Sequence, residues 1–369
     1  MHQIQYLEKV LDAGSNYNVF VGENVSDASM NDASYNTAVG YSSLSALTEG
    51  DSNDAFGYKS LLSLTTGSSN TALGRDTLRT TTIGASNVAI GQSSMYALTS
   101  GGNNVGVGSG SLYSNETGQY NTAVGIQALS GASGQSNSNN TAIGYKSLFA
   151  ITTGEDNVAM GSNALDALTD GDRNVAIGKE ALTAYTGSGA TYQVAVGHRA
   201  GYNRTGGAQN TTLGALSQFG GISGTAPTGA GNTSVGYSSL HNLTSGAYNA
   251  GFGVQSGYNN KTGIYNHSFG YQAGYYNETG SNNVAVGSQA LFGASGQSHS
   301  DNTAIGHNAL KVATTGSNNV AVGSNALLAS TSGIENLAIG RNALAATTTQ
   351  NRNIALGYFT GASITGSDA

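Results

Sequence analysis

Asn36-Thr37-Ala38-Val39-Gly40 is the stretch on which the reading of this chain turns. Its five positions hold Asn, a variable residue, a small residue, an apolar residue and Gly. They return at Asn121 to Gly125, Asn157 to Gly161, Asn174-Val175-Ala176-Ile177-Gly178, Asn319-Val320-Ala321-Val322-Gly323 and Asn336 to Gly340. Anchored on the closing Gly, 20 such units run from Gly22 to Gly357, most of them 17 residues apart, with one spacing of 18, three of 19 and one of 22. A near-constant period of this length is the signature of a solenoid, in which each coil stacks on its neighbours.

The positions around the motif fill in the coil. The residue before the Gly is apolar in all 20 units, and the residue two before that is mostly Val or Thr. Alternation with period 2 puts these two on one face of a short strand. That face is expected to be the interior of the coil. Leu or Met stands four after the Gly in 14 of 20 units, as at Leu44, Leu61 and Met95, and opens a return limb. Thr and a second Gly, as in Thr65-Thr66-Gly67, turn the chain back towards the next Asn. Each coil is thus expected to hold two short strands and two turns. Twenty coils at about 4.8 Å each would stack to on the order of 100 Å.

The other strand face carries Asn, the small residue and Gly. The small position is Ala in most units, otherwise Gly106, Gly251, Thr212, Ser234, Ser268 or, in the first unit, Phe20. Small residues are needed where another backbone comes close. One reading is a partner copy of the chain around a shared axis. The other is that Ala-Gly suits a sharp bend. Asn holds its position in 19 of 20 units, Gln193 being the exception, and stacked amides can hydrogen-bond along such a column. The structural repeat residues are therefore Asn36, Ala38, Val39, Gly40, Asn174, Ala176, Ile177, Gly178, Asn319, Ala321, Val322 and Gly323.

Composition bounds the function. The 369 residues include 55 Gly, 1 Pro, no Trp and no Cys, with 9% charged residues and a net charge of −7. No Lys/Arg cluster exists to track a phosphate backbone, so nucleic acid is not an expected partner. No apolar run nears the roughly 20 residues that cross a bilayer, so membrane insertion is not expected either. Without Cys there is no thiolate metal site. The six His form no metal-type i, i+4 pair. No pair of carboxylates suited to glycoside cleavage recurs. The chain is read as a non-enzyme with no cofactor, metal or catalytic residue.

Residues 1–17 are set apart as an N-terminal leader. Ile4, Leu7, Val10 and Leu11 mark a short helical face there, either a frayed segment on the first coil or the end of a coiled-coil stalk. Residues 18–369 form one array. Its length departures fall at Ser130 to Asn139, Tyr185 to Tyr192, Ala215 to Gly231 and Phe292 to Asp301. In solenoids such insertions are loops, often on a binding face. The two positions after the Gly vary most and are expected at a wet outer corner. Tyr41, Tyr58, Tyr145, Tyr237 and Tyr271 stand there as candidate receptor contacts. A larger duplication is also present: Asn115-Glu116-Thr117-Gly118 and Asn277-Glu278-Thr279-Gly280 are 162 residues apart, as are the segments beginning at Leu129 and Leu291.

Asn87-Val88-Ala89-Ile90-Gly91 and Asn174-Val175-Ala176-Ile177-Gly178 resemble the head repeats of trimeric autotransporter adhesins. The longer form Asn140-Thr141-Ala142-Ile143-Gly144-Tyr145-Lys146-Ser147-Leu148 is similar to repeats of phage tail-fibre proteins. The resemblance covers roughly residues 18–361. It implies a left-handed parallel β-roll with three chains around one axis, although the coil here is longer than the head repeat and neither a membrane-anchor barrel nor a tail-fibre chaperone domain follows.

The sequence reading is an all-β parallel β-solenoid (β-roll) of about 20 coils, assembled as an intertwined or side-by-side homotrimer. It would serve as a shaft or receptor-contacting part of a phage tail fibre or a cell-surface adhesin. Its partners would be other copies of itself, in a trimer or filament, and a host-surface glycan or protein, and its place the virion tail fibre, the extracellular space or the cell surface. The alternative is a purely structural extracellular filament that joins end to end.

Overall fold

The computed structural model describes residues 16–362, apart from 27, 29, 135 and 221–226, with 188–190 described by backbone alone. The leader helix expected over the first residues lies outside the described residues. The chain divides into two compact bodies, the first made of Met1–Lys179 and Thr186–Ala190, the second of Glu180–Tyr185 and Thr191–Ala369.

Each body is a parallel β-solenoid. The first holds ten coil strands, from Val19–Val21 to Val175–Ile177, and the second ten, from Val194–Val196 to Ile354–Leu356. Every strand is three residues long, and within each body the strands of neighbouring coils pair in parallel. Thr37 faces Asp54, Ala38 faces Ala55 and Val39 faces Phe56. A closed coil brings the chain back in its original direction, so parallel pairing follows from the period itself. Nine steps of about 4.8 Å make each ladder roughly 43 Å long. An extra parallel pair, Asp170–Asp172 with Ser188–Ala190, arises from the insertion after Tyr185.

Two expectations are corrected here. The return limb is not a strand. The residues two and four after each anchor Gly take left-handed backbone, as at Ser42 (φ 52), Leu44 (φ 50), Lys59 (φ 55) and Leu61 (φ 48). Left-handed leucines are uncommon, and a limb that alternates hand is a run of turns rather than an extended segment. It still bonds between coils: Ser42 N donates to Glu23 O, and Leu44 N to Ser60 O.

The second correction concerns which strand face points inward. Ala38, Ala55, Ala72, Ala89 and Ala176 are wholly buried, whereas Phe56, Leu73, Ile177 and Ile339 are 38%, 50%, 37% and 41% exposed. The small residue faces the coil's own interior and the large apolar residue faces outward. Geometry gives the reason. A Cβ added to Gly106 would lie 2.8 Å from Ser94 Oγ and 3.0 Å from Met95 Cε, and one on Gly251 would lie 3.1 Å from Leu240 Cγ. The leucine column of the return limb fills the narrow interior and leaves the strand room for about a methyl group. Ala38, Ala176 and Ala321 are core residues; Val39, Ile177 and Val322 are not.

The anchor Gly has two reasons to be Gly. Gly57 has φ +136, and a Cβ on it would lie 2.4 Å from the carbonyl oxygen of Gly74 in the next coil. Successive anchors touch backbone to backbone, which no side chain permits.

Candidate functional site

The recurring Asn is buried and tied both along and across the stack. Asn53 Nδ2 donates to Asn36 Oδ1 at 3.0 Å and to Gly67 O at 3.0 Å, while its backbone N also donates to Asn36 Oδ1 at 2.9 Å. The same amide-to-amide column runs from Asn18 to Asn174 in the first body and from Asn210 to Asn353 in the second, save that Asn266 meets Asn249 Oδ1 through its backbone N, at 2.9 Å. Gln193 is buried like the Asn residues and reaches across to Gly207 O. With its amide hydrogens and its oxygen engaged inside the protein, this Asn is a structural tie.

What remains open to solvent is the outward strand face and the corners. The outward face carries the residue before each anchor Gly, apolar in every coil: Val39, Phe56, Leu73 and Ile90 in succession, later Phe252, Phe269, Val286 and Ile305. The exposure is uneven: in the first body Phe56, Leu73, Val124, Met160 and Ile177 are 37–50% exposed and the other five members are half-buried. Together they make a continuous apolar stripe rather than scattered single residues, the kind of surface that marks an interaction site. Phe252 and Phe269 stack along this face at 4.9 Å.

The five candidate tyrosines are all exposed, from 42% for Tyr41 to 51% for Tyr237 and Tyr271. Tyr41 and Tyr58 are brought together as a parallel stack at 5.5 Å. Lys146 lies 5.4 Å from the Tyr145 ring. Tyr237 and Tyr271 stand two coils apart, with Val254 at the intervening corner. The corner is only half as wet as expected. Its first residue is exposed, but the second turns back, so that Ser42 and Asp76 are buried. Asp76 is met there by Arg75 at 2.9 Å and Arg79 at 3.3 Å. The duplicated insertions project into solvent at Gly134 and Gly296, where an added Cβ would meet nothing within 4 Å. They are fastened alike, Thr117 to Ser136 and Thr279 to Ser298, each with a hydroxyl contact of 2.8 Å.

Three features of the second body escaped the sequence reading. Five residues after the anchor, Tyr202, Phe219, His241, Tyr258, Tyr275 and Phe292 form one continuous stack with ring separations of 4.9 to 5.3 Å. The signal was legible as an aromatic or His at one register position in six successive coils. Burial in the stack lowers the His241 pKa and raises those of Tyr258 and Tyr275. Second, Arg204 is fully buried and held by Gly206 O, Gly229 O and Gln218 Oε1 at 2.9, 2.8 and 2.7 Å. Burial pulls its guanidinium down to about 10. It occupies the corner column that Leu47, Leu64 and Leu98 fill in the first body. Third, His299 is 1% exposed, and burial lowers its pKa to about 4.

Among the described residues no group of three His, Cys, Asp or Glu could hold a metal ion, and no helix is long and apolar enough to cross a membrane. No family model, curated protein or solved structure matches this chain.

Proposed function

We propose that this chain is a structural fibre module, the shaft or surface-contacting part of a tail fibre or cell-surface adhesin, built from side-by-side copies of itself. The observation that supports the reading is the unbroken apolar column on the outward strand face. Such a face in water is a standing invitation to association. The homotrimer drawn from the sequence is kept, but its interface moves from the alanine face, which lies inside the coil, to the Val/Ile/Leu/Phe face. Three such faces turned to a common axis would bury one another, while corners and insertion loops stay outside for contacts with a host glycan or protein. Each coil repeats the same ties to its neighbours, which suits a rod that spans distance rather than a pocket that performs chemistry.

The test is association of the full chain against that of Ile143→Lys/Ile177→Lys. The wild type is expected to sediment as a discrete trimer and the variant as a folded monomer. Open-ended filaments would favour the purely structural alternative, and wild-type monomer would overturn the assembly. Receptor contact is tested by binding to intact host cells, with Tyr41→Ala/Tyr58→Ala expected to weaken retention and unchanged retention counting against those corners.

A further inference from the structure

The 162-residue duplication supplies the second body's core with an internal comparison. In the first copy Met95, Leu98 and Leu112 are all buried beside Gly106. At the same places the second copy has Gly257, Asn260 and Gly274, with Ser268 in place of Gly106. Two long apolar side chains are gone and a third has become an amide. The result is a small cavity between Leu240 and Leu291, lined by Asn260, Ser268 and the two glycines, with room for about one water molecule.

The lining is polar and incompletely satisfied. Asn260 is 2% exposed, and neither its Oδ1 nor its Nδ2 has a hydrogen-bond partner. Its neighbour Asn277 is satisfied, with Nδ2 on Gly280 O at 3.1 Å and Oδ1 accepting from Gly280 N at 3.1 Å and His299 N at 3.2 Å. Ser268 Oγ stands in the gap, 2.5 Å from where a Cβ on Gly274 would lie and 4.0 Å from one on Gly257. In this rotamer the Ser268 hydroxyl takes space that a side chain at 274 would need. A buried amide left bare on both sides is strongly unfavourable. Apolar voids stay dry, but a void edged by polar groups takes up water.

We propose that this cavity is a binding site for one ordered water, held by the Asn260 amide and the Ser268 hydroxyl, which takes the place of the apolar filling of the first copy. The bare amide offers one donor side and one acceptor side. A neutral molecule that both donates and accepts matches it, whereas a bare cation or anion matches only half. The size of the cavity excludes anything much larger than water.

Water ¹⁷O relaxation dispersion on the full chain counts long-lived internal waters. The comparison is the variant Gly257→Met/Asn260→Leu/Ser268→Gly/Gly274→Leu, which restores the first copy's residues. Left-handed backbone at these sites does not forbid the change, because Met95 and Leu112 adopt φ 51 at the matching positions. The variant is expected to lose one long-lived water, with its circular dichroism unchanged. An equal count in a folded variant would overturn the proposal. A second measurement needs no variant: wild-type crystals are expected to show one ordered water within hydrogen-bond distance of the Asn260 amide and the Ser268 hydroxyl, and a cavity without electron density would overturn the proposal.

Discussion

Replacing one Asn of the column measures what holds coil to coil. Asn87→Ala removes four hydrogen bonds. Two are given by Nδ2, to Asn70 Oδ1 at 3.0 Å and to Gly101 O at 3.0 Å, and two are received by Oδ1, from Asn104 N and Nδ2 at 3.1 Å each. At about 1 kcal/mol apiece the loss is about 4 kcal/mol. The Asn104 N–H and the Gly101 carbonyl are left buried without these partners, which pushes the cost up, while water entering the gap pulls it down. Coils of a solenoid contact only their neighbours, so the weakening is local. Native-state hydrogen exchange reads it directly. The amides of Asn104 and Val105 are expected to exchange on the order of 10³-fold faster, since about 1.4 kcal/mol corresponds to tenfold. The Thr37 amide, three coils away, is expected to keep its rate. Acceleration of less than tenfold at Asn104 would refute the claim that the column ties the stack. Equal acceleration at Thr37 would refute its locality.

Other outcomes follow from the same geometry. Gly57→Ala places a Cβ 2.4 Å from Gly74 O in a backbone with φ +136, and is expected to destabilise by at least about 2 kcal/mol in urea unfolding. Ala176→Glu buries an unpaired carboxylate where only a methyl group fits, and circular dichroism is expected to report loss of the fold around it rather than a folded monomer. His299 carries a pH signature. Its folded-state pKa of about 4 lies below the ordinary 6.5, so between those values the unfolded chain binds more protons and stability falls as pH falls. The contribution is fully present above pH 6.5, and about 3 kcal/mol is lost by pH 4. His299→Asn, which restores the residue found at Asn137 in the first copy, is expected to flatten that part of the urea-midpoint profile against pH.

The period, the strand and the Asn column were legible because each rests on strict recurrence. Nineteen Asn at one register position in a stack have few alternatives to bonding one another. The direction of the strand faces was not legible in the same way. Period 2 says that Thr37 and Val39 share a face and Ala38 has the other; it does not say which is inside. Size suggested that valine fills the core. The core is filled instead by Leu44 and Leu47 from the return limb, and the limbs lie so close that the strand contributes a methyl group. The return limb itself was misread because leucine at φ 50 contradicts its ordinary backbone preference. Nothing local announces that conformation; it is imposed by the bonds of Ser42 and Leu44 to adjacent coils. The outer tyrosines were placed correctly at exposed corners, but the stacking of Tyr41 on Tyr58 takes one ring face from each. The aromatic stack from Tyr202 to Phe292 is readable by register, five residues after each anchor Gly, but it mixes Tyr, Phe and His and so lacks the single recurring residue type that marks the Asn column.

A fibre of side-by-side copies requires that other copies cover the outward apolar column. Sedimentation equilibrium of the full wild-type chain tests this most directly. The predicted result is a single species of about 111 kDa, three times the 37.1 kDa chain. A single species at 37.1 kDa across the micromolar range would contradict it.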